Sequence, residues 1–249
     1  HRKVFAPWLV ACAALAACAS TTSHALTLLP ANPRAGAEFA MFFTGSSGCR
    51  KAPVQVEVVG SNVSLVYPED ASCLSGAIGA YNVVVRLPAG SYQVFERGEI
   101  APGVPRSVAT LGSVTVLPAL SVTRTTTNLD GMWYVPSQAG WGVSIAEGES
   151  GQLFLGWYLY RAPSIGPERF EGIWYFVSSG SWVTPTSFSG LIYSSFGGNT
   201  GGTFDSSALN ITPFGIATVT LNTDGTVGFR VDATGPIRMI DTTLTKLRF

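Results

Sequence analysis

Two close pairs of acidic residues, Glu147 with Glu149 and Glu168 with Glu171, are the first side chains in this sequence that could do chemistry. Two carboxylates at a set separation can act as acid and nucleophile at a glycosidic bond. Both pairs, though, stand beside Gly or Pro in segments that read as turns, and a solvated hairpin tip accounts for them without catalysis. Histidine narrows the field further. The two His residues are His1 and His24, so the body of the chain has none. No Ser-His-Asp or Cys-His relay and no His-bearing zinc site can be assembled from the remainder. No phosphate-cradling Gly loop or dinucleotide fingerprint follows a strand and opens a helix. The expectation is a protein that is not an enzyme, with a hydrolase the weakest of three readings, and with no cofactor or metal.

The remaining candidates are aromatic. Every Trp beyond residue 25 falls between Trp133 and Trp182. In the strand-like run from Leu153 to Tyr160, Leu153, Leu155, Trp157 and Leu159 share one parity and read as core. Phe154, Gly156, Tyr158 and Tyr160 share the other, which is aromatic but carries hydroxyls. Trp174 and Phe176 share a face of the next strand. Tyr158, Tyr160 and Trp174 are therefore the candidate ligand contacts, since an aromatic face with a polar rim suits the stacking of a sugar ring. The competing reading is that these aromatics only fill or coat a small barrel.

The elements that must position them are all strands. Residues 26–120 contain no Trp and alternate in short runs: Phe39 to Thr44, Val54 to Val58, Val63 to Tyr67, Tyr81 to Leu87, Ser91 to Glu96 and Ser107 to Val116. Such spacing, punctuated by Pro and Gly, predicts a β-sandwich. The segment Leu87-Pro88-Ala89-Gly90-Ser91-Tyr92 resembles the corner before a late strand of immunoglobulin-like domains, in which a Tyr hydroxyl turns back onto the backbone. Tyr92 takes that role in an immunoglobulin-like sandwich over 26–120. The Thr-rich stretch 121–128 reads as a linker. Beyond it, 129–249 predicts sequential hairpins: a turn at Glu147 to Gly151, another at Asn222 to Thr226, and about eight strands. An antiparallel meander of that kind closes readily into a small β-barrel. The last run, Asp241 to Phe249, is too polar on both faces for a membrane barrel strand.

A Trp-Tyr pair follows a Gly three times, at Gly131-Met-Trp133-Tyr134, Gly156-Trp157-Tyr158 and Gly172-Ile-Trp174-Tyr175. The segment Gly131 to Val143, with Pro136, Ser137 and Gly140-Trp141-Gly142, is similar to one found in exported bacterial proteins of unknown function. These read roughly Gly-x-Trp-Trp, then Pro, then Ser-Gly-Trp-Gly. The resemblance covers most of 129–249. Tyr134 stands where the second Trp is usual and Ala139 where Ser is usual. It implies a β architecture and an exported address, and no chemistry.

Residues 1–25 have the order of a secretory signal: Arg2 and Lys3, an apolar run from Val4 to Ala17, then small and polar residues. Leu15-Ala16-Ala17-Cys18 resembles a bacterial lipobox, which implies lipidation of Cys18 and a membrane partner through the lipid anchor. Cleavage after Ala25 and free secretion is the alternative. The expected location is an outer-membrane lipoprotein or a periplasmic or extracellular protein. Of the other cysteines, Cys49 and Cys73 form the pair expected to bridge in an oxidising compartment. Thirteen basic and fifteen acidic residues follow residue 25, a net charge of −2 with no basic patch. That gives no footing for nucleic acid. The expected function is a binding or adhesion module of the cell envelope, with glycan as the candidate ligand. The alternative is a structural or assembly accessory that contacts another envelope protein.

Overall fold

Period-two alternation of β-branched and aromatic residues dominates the chain, and strands are what it forms. The computed structural model describes residues 26–46, 55–68, 78–161, 171–197, 208–233 and 240–248. Its named elements are all β-strands. The first seven are β1 (Leu26–Leu29), β2 (Phe39–Ser46), β3 (Gln55–Val59), β4 (Asn62–Pro68), β5 (Ile78–Val85), β6 (Gly90–Ala101) and β7 (Val104–Val116). They make two sheets, ordered β1-β2-β5 and β3-β4-β6-β7. Phe39, Met41, Phe43, Leu65, Tyr67, Val94 and Val114 fill the space between them. At the corner between β5 and β6 the Tyr92 hydroxyl donates to the Pro88 carbonyl at 3.0 Å, which anchors the crossing.

One pairing departs from an all-antiparallel immunoglobulin-like plan. β4 runs parallel to β6, with Asn62 opposite Gln93 and Pro68 opposite Glu99. The reason lies in the route of the chain. β5 crosses to the opposite sheet between them, so the chain re-enters beside β4 in β4's own direction. The β6–β7 hairpin also runs further than its alternation suggests, to Ala101 opposite Val104.

The other nine strands are β8 (Gly131–Tyr134), β9 (Gly142–Glu147), β10 (Leu153–Arg161), β11 (Glu171–Val177), β12 (Gly180–Thr184), β13 (Ser187–Phe196), β14 (Asn210–Leu221), β15 (Val227–Ala233) and β16 (Ile240–Lys246). Eight of them close an antiparallel barrel in the order β11-β10-β9-β8-β16-β15-β14-β13. The ring is completed where β13 meets β11 through Tyr175 opposite Ser194 and Phe176 opposite Tyr193. β12 is appended to the other half of β13. The turn from β14 to β15 shows how the sequence sets such hairpins. Asp224 Oδ1 accepts from the Thr226 amide at 2.9 Å, and Gly225 takes a φ of 80° that a side chain would resist.

Alternate residues point inward and fill the barrel: Ile145, Leu155, Trp157, Tyr175, Phe188, Val219, Phe229 and Leu244 among them. Trp157 packs 5.2 Å from Tyr175 and 5.7 Å from Phe229, centroid to centroid. Each such large side chain contributes about 1.5–3 kcal/mol by leaving water. Among the described residues these inward side chains pack into one apolar core.

Sandwich and barrel are packed on each other. The outward face of β1-β2-β5 supplies Leu29, Ala40, Phe42 and Val84; the barrel supplies Phe176, Leu191, Tyr193 and Ile216. This explains the unbroken apolar runs Phe39 to Phe43 and Val83 to Val85, because both faces of that sheet are covered. The Tyr193 hydroxyl donates to Glu38 Oε2 at 2.9 Å, and Arg86 donates to Ser179 Oγ at 3.0 Å across the same joint. Burial first, and then the charge of Glu38 and the hydrogen bond to it, pushes the Tyr193 phenol well above the usual tyrosine range.

Candidate aromatic binding site

In an antiparallel sheet, residues directly opposite one another share a face. The register therefore sets the outer wall of β8 to β11 in rows. Tyr134, Gly142, Tyr158 and Trp174 form one row. Met132, Ser144, Gly156, Phe176 and Tyr193 form the next. Tyr160 stands beyond the first row, opposite Gly172. Tyr158, Tyr160 and Trp174 thus belong to one surface, at 42%, 62% and 47% exposure, whereas Trp157 between them is 2% exposed.

Glycines shape that surface. With no side chain at 142 the wall is hollow there and larger residues rim it, while the space that a side chain at 156 would take is filled by Tyr158. A Cβ at Gly156 would lie 2.9 Å from both the Ser144 Oγ and the Tyr158 hydroxyl, so Tyr158 lies folded over the glycine. Its hydroxyl is 3.3 Å from Ser144 Oγ. The result is a groove of about 880 Å³, lined by Tyr158, Tyr160, Trp174, Tyr134, Trp141 and Met132 together with Ile173 and Leu247. Among the described residues its lining includes no Asp, Glu, Lys or Arg. The Trp141 indole is held by donation to Gln138 Oε1 at 3.0 Å. Three tyrosine hydroxyls fringe an apolar floor, an arrangement that can stack a flat, weakly polar ring and bond its edge.

The repeated Trp-Tyr pair resolves into two registers. At 133–134 and 157–158 the Trp points into the barrel and the Tyr outward. At 174–175 the order is reversed: Trp174 is exposed and Tyr175 buried. The extra residue between Gly172 and Trp174 does not by itself account for this, since Gly131 has the same spacing. The cross-strand register to β10 decides it.

The acidic residues take structural places. Glu147 ends β9 rather than lying in a turn; it pairs with Arg124 and accepts from the Leu129 amide at 3.4 Å. Arg124 also lies 5.6 Å from the centre of the Trp182 ring, so the Thr-rich segment is fastened along the barrel. Glu149 is in the β9–β10 turn, and Glu171 is the first residue of β11, not part of a turn. Glu168, Cys18, Cys49 and Cys73 lie outside the described residues. Among the described residues no three His, Cys, Asp or Glu are grouped to hold a metal.

Sequence reasoning passed over Tyr134, Trp141, Met132 and Leu247 as members of the groove. The first two carried a signal, because they sit in the Gly-bounded motif from Gly131 to Gly142. Met132 sits in the same motif, and Leu247 carried none. The Leu247 amide bonds to the Met132 carbonyl at 2.8 Å, a meeting of residues more than a hundred positions apart. Compared with protein-family models, with curated proteins and with solved structures, the chain has no match.

Proposed function

We propose that this protein is a non-catalytic binding module of the bacterial cell envelope whose barrel wall takes a glycan. The observation that supports it is the groove: exposed Tyr158, Tyr160 and Trp174 face one hollow with tyrosine hydroxyls at its rim. Large aromatic side chains left in water are expensive unless something covers them, and an aromatic face offers a sugar ring broad apolar contact with hydrogen bonding at its margin. The test is a glycan array followed by calorimetry on wild type, Tyr158→Ala and Trp174→Ala. Loss of binding with melting nearly unchanged supports the reading. No hits for the folded wild type would sink it.

The address belongs to the proposal as well. Residues 1–25 carry an export signal, and Cys18 at the end of Leu15-Ala16-Ala17-Cys18 becomes the lipidated residue that anchors the protein in the outer membrane. Partition into detergent that is lost in Cys18→Ser is the expected result; an unmodified mature chain starting at Leu26 would refute the anchor. A second reading, protein–protein assembly, has one observation in its favour. The β6–β7 hairpin exposes Ile100 on β6 and Val104 and Val108 on β7, and β7 is an edge strand. Such an edge can add a strand from a partner.

A further inference from the structure

A second cavity, of about 710 Å³, opens where the sandwich meets the barrel. Its walls come from both bodies: Glu38 and Asn82 from the sandwich, and Phe176, Tyr193, Asn210 and Thr212 from the barrel. The chemistry differs from that of the groove. Glu38 already accepts from Tyr193, and Asn210 Oδ1 accepts from the Thr212 hydroxyl at 2.8 Å, so these polar groups are held in place. Asn82 is opposite Phe42 on the sheet face that packs on the barrel. Beside the apolar Phe42 and Val84, its carboxamide makes no side-chain hydrogen bond among the described residues.

Phe176 joins the two cavities. It lines the cleft, its ring centre is 5.5 Å from Tyr193, and it is 5.9 Å from Trp174 in the groove. A continuous aromatic track therefore runs from Tyr158 and Trp174 through Phe176 to a polar cleft. We infer that groove and cleft are one extended site for a neutral glycan chain carrying N-acetyl groups. The inference rests on the glycan reading of the groove and adds length and sugar class to it. Continuity calls for several sugar units in a row. Among the described residues neither lining contains Lys or Arg, and Glu38 at the cleft is already engaged by the Tyr193 hydroxyl and by Arg86, so the described walls offer no free cation to a uronate or sulfated chain. In the cleft Asn82 and Asn210 offer carboxamides to the acetamido group of one sugar unit, while in the groove Met132 and Leu247 offer an apolar seat for the methyl of another.

The experiment is titration calorimetry of the whole protein with β-1,4-linked N-acetylglucosamine oligomers, a dimer and a hexamer, with melting curves as the folding control. The hexamer should bind at least about tenfold more tightly than the dimer. Asn82→Ala should bring the hexamer down to the dimer's affinity and leave the dimer unchanged. Trp174→Ala should lose both. A hexamer no tighter than the dimer, or a hexamer indifferent to Asn82→Ala, would overturn the extended site while leaving the groove reading standing. If only uronate or sulfated oligomers bound, the sugar class would be wrong. If wild type bound neither oligomer nor any other glycan, the groove reading and this inference would both fall.

Discussion

The barrel wears two different coats. From β13 to β16 the outer wall is dressed for water: Ser187 meets Thr220, Ser189 meets Thr218, and Arg230 bridges Asp232 and Asp241. From β8 to β11 the same wall, with the same inward alternation behind it, carries Tyr134, Tyr158, Tyr160, Trp174 and Phe154. The inner faces of the two halves are alike, since the fold demands apolar packing there. Where the sandwich does not cover Leu191, Tyr193 and Ile216, the outer face is not constrained by the fold, and the Ser-Thr and Arg-Asp pairs of β13 to β16 show a stretch of wall that meets only water. The aromatic half therefore answers to something other than folding.

The inner faces set the largest expected effect. Trp157→Ala and Phe229→Ala, one behind each coat, should both cost about 3–5 kcal/mol in denaturant or thermal melts. A mild loss in either would break the claim that the two interiors are equivalent. Next comes the joint that covers part of the wall. Tyr193→Phe removes a hydrogen bond to a carboxylate and should cost about 1–2 kcal/mol. Because the folded phenol holds its proton more tightly than the unfolded one, its contribution is present below about pH 10 and is lost as the pH rises above that. Alkaline melts should show this decline in wild type, and less of it in Tyr193→Phe.

The aromatic coat itself should be nearly silent in stability. Tyr158→Ala and Trp174→Ala should cost no more than about 1 kcal/mol, the value of a partly exposed aromatic contact, while abolishing ligand binding. A loss as large as that of Trp157→Ala would make the coat structural and remove the contrast. Smallest of all is Arg230→Ala on the polar coat. Exposed ion pairs are worth about 0–1 kcal/mol. Its melt should barely move, and glycan affinity should be untouched, which sharpens the comparison.

Parity was the readable part of this molecule. Leu153, Leu155 and Trp157 could be assigned inward, and Tyr158 and Tyr160 outward, because a strand's two-residue period is written locally. Tyr92 was readable for a similar reason: its corner is a short segment with its own Pro and Gly. Pairings between distant strands were not. Nothing local announces that β4 runs beside β6, that β13 closes on β11, or that Leu247 arrives beside Met132. Ala40 and Phe42 read as strand residues, but the surface that buries them comes from Leu191 and Tyr193. Glu147 looked like half of a catalytic pair because its partner, Arg124, lies in a segment that reads as a linker.

The closure of the barrel has one more consequence. Two residue pairs join β11 to β13, and on the outer side of that seam Phe176 and Tyr193 are pressed against the sandwich. The sandwich thus acts as a clasp on one of the ring's two shortest joints, the other being β16 on β8. A gene rearrangement that carried the barrel off alone would transmit a ring with that joint bare, so the two halves are fitted to be inherited together rather than shuffled as separate modules.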